Sequence, residues 1–273
     1  GKTHALIFSN PFIFLYISSV ITKMKYSQFI YILLFELLNV SCGNESALNV
    51  ATSANMQFPM NEIVSEFEKD HSIKIELIVT SSGKLTSQIE QGAPFDVFVA
   101  ANQKYPAYLD SLGLTTSEPK VYAHGKLGLW TLQDFSPTLN LLTTDTIQKI
   151  AIANPKTAPY GKASIDVLKH NGIYERVKHK LVFGESISQV NQFITTGSAD
   201  IGFTAYSVVS CTEMKNFGKW TTINLNNHRK IYQAAVILKE SAYPEKAKVF
   251  YNFLFSERAR EILNKYGYLT SEK

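Results

Sequence analysis

From Ala47 onward, short apolar runs alternate with longer stretches in which apolar residues recur every three or four positions. The first pattern predicts strands and the second predicts helices. "ALNVAT" (47–52) reads as a strand, after which Met60, Ile63, Val64 and Phe67 recur at helical spacing. Pro59 suits a helix starting near Asn55, because first-turn residues need no N–H partner inside the helix. "IKIELIVT" (73–80) is the next strand, Leu85 and Ile89 form a short helix face ending at Gly92, and "FDVFVA" (95–100) is the third strand. "KLGLWT" (126–131) and "AAVILK" (234–239) are strands about a hundred residues apart. Between them lie "IQKIAIANP", a helix at 161–171 closed by Gly172, the strand "KLVF", a helix at 188–196 closed by Gly197 and the strand "DIGFTAY". One long C-terminal helix is expected, with Phe250, Phe253, Leu254, Ile262 and Leu263 on its apolar face.

This alternation is that of an α/β protein with mostly parallel sheets. It predicts two α/β lobes joined by two crossover strands, with a ligand cleft between them. Lobe I would comprise residues 47–127 and 233–273, and lobe II residues 128–232. Such a cleft can trap a small molecule by hinge closure.

Composition narrows the function classes. With 45% hydrophobic residues over 273 positions the chain can bury a sizeable core. A formal charge of +4, with its basic residues scattered, lacks the basic stripe that nucleic-acid binding needs. Residues 1–46 read as upstream sequence plus a secretory or lipoprotein signal. The start is expected at Met24, followed by Lys25, the apolar run 29–40 and Ser41-Cys42-Gly43. Cys42 is the expected lipidation site; the run before it is short for a membrane span, which needs roughly 20 apolar residues. Cys42 and Cys211 do not form a pair or a metal-ligand spacing, and the six histidines show no paired spacing. A catalytic triad has no nucleophile motif to build on.

Four strand-to-helix junctions share one character: "ATSANMQ" (51–57), "TSSGKL" (80–85), "NPKTAPYGKAS" (154–164) and "GESISQ" (184–189). Each sets small or hydroxyl residues before a helical pattern. First-turn N–H groups lack intrahelical partners and carry the positive end of the helix dipole, so an anion is stabilised there. Any one such junction is an ordinary cap. Four in one two-lobed α/β chain point to a ligand, because these folds bind at the C-terminal ends of their strands.

"SSGKLTSQIEQGAPFDVFVAANQKY" (81–105) resembles the signature of the periplasmic molybdate-binding proteins of ABC importers. "ATSANMQFPM", "IANPKTAPYGKASIDVL", "GESISQVNQFITTGSADIGFTAYS" and "ILNKYGY" follow that family's pattern in order, so the resemblance covers about 47–270. It implies the type II periplasmic-binding-protein fold, no enzymatic activity and no cofactor. The ligand would be the molybdate or tungstate oxyanion, with no direct metal ligand from the protein. The implied ligand-binding residues are Asn55 with Ala54 beside it, Ser82, and the backbone N–H groups of Tyr160 and Ile187. The tyrosine that some members add from the following strand falls on Ala205 here, with Tyr206 one residue on and facing the other way. The implied partner is an ABC permease in the inner membrane. The protein would be a monomer in the periplasm of a Gram-negative bacterium, anchored as a lipoprotein.

The residues by themselves agree with an anion site. A fully deprotonated tetrahedral dianion offers only acceptors, and neutral donors suffice if several are preorganised, at roughly 1.5–3 kcal/mol per hydrogen bond to a charged group. Hydrogen phosphate would also need an acceptor, for instance a carboxylate, and none is evident at these junctions; Asp96 lies on the apolar strand and Glu185 is the nearest candidate. Sulfate is the harder rival and has to be excluded by cavity size. An enzyme on the same two-lobed scaffold is the alternative from another class; it would need a titratable pair or a cofactor facing the cleft. Lys84, Lys104 and Asn102 are expected to face water. Ser82→Ala is expected to weaken anion binding with little effect on the stability of the empty protein.

Overall fold

The computed structural model describes residues 47–270 other than 212, 213 and 215. Met24, Cys42 and the rest of the expected leader lie outside the described residues. Strand β1 (Leu48–Ser53) leads through a 3-10 turn (Ala54–Met56) into α1 (Gln57–Asp70). Next come β2 (Ile75–Thr80), α2 (Ser82–Glu90), β3 (Val97–Ala100), α3 (Lys104–Ser111) and β4 (Lys120–Gly125). The middle of the chain holds β5 (Leu127–Thr131), β6 (Ile150–Ala153), α4 (Pro159–His170) and α5 (Tyr174–Val177). It continues with β7 (Leu181–Gly184), α6 (Ile187–Thr195), β8 (Ile201–Ala205), α7 (Tyr206–Val209) and β9 (Lys219–Thr222). β10 (Ile231–Ile237), α8 (Pro244–Leu254) and α9 (Glu257–Lys265) complete the described chain.

Two five-stranded sheets result, ordered β2-β1-β3-β10-β4 and β7-β6-β8-β5-β9. Each is built the same way: three parallel strands with the earliest in the middle, then two strands that join antiparallel. The sheets are therefore mixed rather than mostly parallel. β10, arriving from the second sheet, pairs antiparallel with both β3 and β4, and β5 does the same between β8 and β9. The chain leaves the first sheet through Lys126 alone, between β4 and β5, and returns in the segment between β9 and β10. "KLGLWT" thus supplies β5 to the second sheet, and "AAVILK" supplies part of β10 to the first.

Apolar side chains of β1, β3 and β10 pack on one face against Met60, Ile63 and Phe67 of α1 and against Phe250, Leu254 and Leu263 of α8 and α9. On the opposite face Leu85, Ile89 and Leu109 from α2 and α3 cover the same sheet. The second sheet has a single large core, and that core also takes in Ala54 and Ala101 from the first lobe. The expected glycine stops hold: Gly172 and Gly197 end α4 and α6 at φ 65° and 71°, a conformation that costs other residues more.

Two boundaries differ from the sequence reading. α1 starts at Gln57, after the 3-10 turn that carries Asn55. The single C-terminal helix is two, because Ser256 takes an extended conformation (φ −70°, ψ 165°) and its Oγ accepts from Ala259 N at 3.2 Å. A serine cap there starts a new helix, and the apolar face resumes after the break.

Candidate functional site

All four junctions lie at the C-terminal ends of parallel strands, two in each sheet: β1 and β2 in the first, β6 and β7 in the second. Their residues are buried. Ala54 is 4%, Asn55 2%, Ser82 0%, Tyr160 1% and Ile187 3% exposed. Ala54, Tyr160 and Ile187 share one apolar cluster with Ala101, and Ala101 N donates to Ser82 Oγ at 2.9 Å. The fold therefore brings Ala54, Tyr160 and Ile187 into one core, with Ser82 joined to it through Ala101.

Capping accounts for only one of the junctions. Ser186, before α6, accepts weakly from Gln189 N at 3.5 Å. Ser53, Ser81 and Ala158 occupy the corresponding positions before the 3-10 turn, α2 and α4 without any side-chain cap bond. Ser53 Oγ and Thr52 Oγ1 are buried with no hydrogen-bond partner among the described residues. Ser82 Oγ is occupied as an acceptor by Ala101, and its own hydrogen finds no acceptor among the described residues. Pro159 fills the first position of α4, where a missing N–H costs nothing. The N–H of Tyr160 follows at the second position. Gly161 lets α4 approach β6 closely: a Cβ there would stand 1.9 Å from Ala153 O.

Behind these helix starts lies a buried polar network that sequence reasoning missed. Asn55 Nδ2 donates to Gln233 Oε1 at 2.7 Å and to Tyr268 OH at 2.9 Å. Tyr122 OH donates to the same Gln233 oxygen at 3.0 Å, and Gln233 Nε2 donates to Tyr160 OH at 3.3 Å. Asn55 O accepts from Ser207 Oγ at 2.8 Å and from Tyr268 OH at 2.9 Å. Tyr160 thus uses its hydroxyl in the network. Gln233 ties Asn55 and Tyr122 of the first sheet's half to Tyr160 of the second. A polar residue inside the apolar strand "IYQAAVI" was the available signal; a bulge after Gln233 marks the same spot.

The network is uncharged. Burial drives the hydroxyls of Tyr122 and Tyr160 well above the ordinary tyrosine value, with neighbouring Tyr268 adding to both, and burial also raises Tyr268. All three stay protonated at neutral pH. The candidate carboxylates are engaged elsewhere. Glu185 pairs with Lys84 at 3.0 Å, and Asp96 accepts from Asn49 N at 2.7 Å and Ser241 Oγ at 2.6 Å. Asn102 Oδ1 accepts from Tyr105 N at 3.3 Å, and Lys104 Nζ lies 5.5 Å from the Tyr105 ring centroid. Lys84 is exposed, as expected, and meets Glu185 of the other lobe. The Tyr206 ring lies 5.3 Å from that of Trp220 and close to Gly267. Ala205 is fully buried in the second core.

A recess of about 200 Å³ opens beside this place rather than within it. Lys104, Lys156, Lys162, Arg229 and Lys230 line it, and Asp166 is held by Arg229 at 3.1 Å. Its lining also includes Asn102, Ala158 and Pro159, close in sequence to Ala101 and Tyr160.

Comparison with known proteins agrees with this architecture. The chain is 37% identical over 233 residues to the molybdate-binding protein ModA of Azotobacter vinelandii, covering 84% of this chain and 92% of that protein. It is 38% identical over 223 residues to the molybdate-binding protein ModA of Rhodobacter capsulatus, covering 81% and 87%. The solved structure of the Azotobacter vinelandii periplasmic molybdate-binding protein superposes with a TM-score of 0.77 at 30% identity, over 82% of this chain and 100% of that one. The sequence pattern of one family, described as bacterial extracellular solute-binding protein, matches residues 48–269. The chain belongs to the bacterial extracellular solute-binding proteins.

Proposed function

We propose that this protein captures molybdate, or tungstate, outside the cytoplasm and delivers it to an ABC permease, acting as a monomer. The observation that carries the reading is the uncommitted hydrogen of Ser82, buried among helix starts from both lobes. A dianion offers acceptors on every side, and this place offers donors: Ser82 O–H and the first-turn N–H groups at Asn55, Tyr160 and Ile187, beside Ala54. Neutral donors also leave the empty cleft without a buried cation, whose desolvation would be costly. Two relatives, at 37% and 38% identity, are named for molybdate, which supports the choice of anion.

Hydrogen phosphate is disfavoured because it would bring a proton best met by a carboxylate. Asp96 and Glu185 are both occupied by other partners. Calorimetric titration of the protein with molybdate, tungstate, sulfate and phosphate tests the reading. Molybdate and tungstate should bind tightly and alike, sulfate far more weakly and phosphate not measurably. Sulfate matching molybdate would overturn the choice of ligand.

A further inference from the structure

We propose that Gln233 is a positioning residue that decides which end of the Asn55 amide meets the bound oxyanion. The inference rests on the oxyanion reading given above. In the structure Asn55 directs both amide hydrogens inward, to Gln233 Oε1 at 2.7 Å and Tyr268 OH at 2.9 Å. Its Oδ1 then accepts no hydrogen bond among the described residues. An acceptor opposes a fully deprotonated anion, which offers no hydrogen to it.

The network can run the other way without leaving any group unpaired. Turning a primary amide by half a turn exchanges its oxygen and nitrogen with almost no change of shape. If both Asn55 and Gln233 turn, Gln233 Nε2 donates to Asn55 Oδ1 and to Tyr122 OH. Tyr122 can then donate to Ala100 O, which already lies 3.4 Å away. Tyr160 OH, now 3.3 Å from Gln233 Nε2, donates to Gln233 Oε1 instead of accepting. Tyr268 OH donates to Asn55 Oδ1, while Ser207 Oγ, at 2.8 Å, keeps Asn55 O satisfied. Every intermediary is a hydroxyl, able to donate or accept, and burial keeps the tyrosines protonated so that they retain both roles. The reversed direction points the Asn55 Nδ2 hydrogens at the guest.

Gln233 couples the two turns directly. It is fully buried, and it touches Asn55, Tyr122 and Tyr160 at once. A glutamine in the middle of an apolar strand is unfavourable unless its amide is bonded at both ends. The same network joins residues of both lobes, so the Asn55 amide is set at the seam that closes over the ligand.

A double-mutant cycle separates positioning from plain structural support. Molybdate affinity is measured for the wild type, Gln233→Met, Asn55→Ala and the double variant, with thermal unfolding of each empty protein alongside. Each single change should weaken binding about tenfold or more, the loss of one hydrogen bond to a charged group. The double variant should bind within about twofold of Asn55→Ala, because Gln233 acts through Asn55. Losses that multiply, or wild-type affinity in Gln233→Met, overturn the proposal and leave the oxyanion reading standing. If the wild type binds none of the four anions, the oxyanion reading falls and this proposal with it. Should Gln233→Met fail to fold, neutron diffraction from deuterated wild-type crystals grown with molybdate decides. Gln233 Nε2 facing Asn55 Oδ1 is the expected result, and Asn55 Nδ2 still facing Gln233 Oε1 is the overturning one.

Discussion

Ser82 carries two duties that its position in the sequence shows only in part. As the first residue of α2 it has a donor to offer, and that much follows from the helix pattern. Its oxygen also accepts from the buried N–H of Ala101, a contact across 19 positions that no local spacing reveals. Replacing it by alanine removes a donor to the anion, worth roughly 1.5–3 kcal/mol of binding. The same change orphans the Ala101 N–H, and a buried unpaired donor costs about 1–3 kcal/mol. Ser82→Ala should therefore lower both molybdate affinity and the urea midpoint of the empty protein, which corrects the expectation of unchanged stability. Titration calorimetry and urea unfolding read the two effects separately. Wild-type affinity in a destabilised variant would mean that the serine serves Ala101 alone.

At the scale of elements, what was legible followed from local pattern. The four strand-to-helix junctions were visible because an apolar run, a small polar stretch and a helical period follow one another within a dozen or so residues. The break between α8 and α9 was hidden because the apolar period resumes after Ser256, so hydrophobicity alone reads straight through it. The network around Gln233 was hidden for another reason: its partners Asn55, Tyr122 and Tyr160 stand 178, 111 and 73 positions away. Gly161 was legible as a residue within a motif but not as a spacer. With Ala153 O at 1.9 Å from an added Cβ, Gly161→Ala must push the start of α4 off β6. Such overpacking costs about 1–3 kcal/mol of stability, and it carries the Tyr160 N–H away from the position the ligand needs. Molybdate binding should weaken along with the thermal midpoint. A variant with a lowered midpoint and intact affinity would show that the Tyr160 backbone is not a contact.

For the molecule as a whole, the state described is one in which the lobes touch. Gly83 N donates to Thr157 O at 2.9 Å, Tyr105 OH to Lys156 O at 3.2 Å and Ser188 Oγ to Gln57 Oε1 at 3.2 Å. Lys84 and Glu185 meet across the same seam, but both are well exposed, at 49% and 67% of their side chains. An ion pair of that kind contributes at most about 1 kcal/mol and is screened by salt. Steric fit at Gly83 weighs more. A Cβ there would stand 2.9 Å from both Cα and O of Thr157 on the opposite lobe, and backbone atoms cannot swing aside as a side-chain tip can. Gly83→Ala should therefore act with opposite signs on two measurements. Within α2 alanine is the better helix former by about 1 kcal/mol, so the empty, open protein should be as stable as the wild type or slightly more so. Closure should be penalised by about 1–3 kcal/mol, the cost of forcing an extra methyl into a packed contact. Molybdate should then bind about tenfold more weakly and dissociate faster. Small-angle scattering at saturating ligand should show less compaction than in the wild type. Equal affinity together with full compaction would show that the seam at Gly83 and Thr157 does not form when the anion is held.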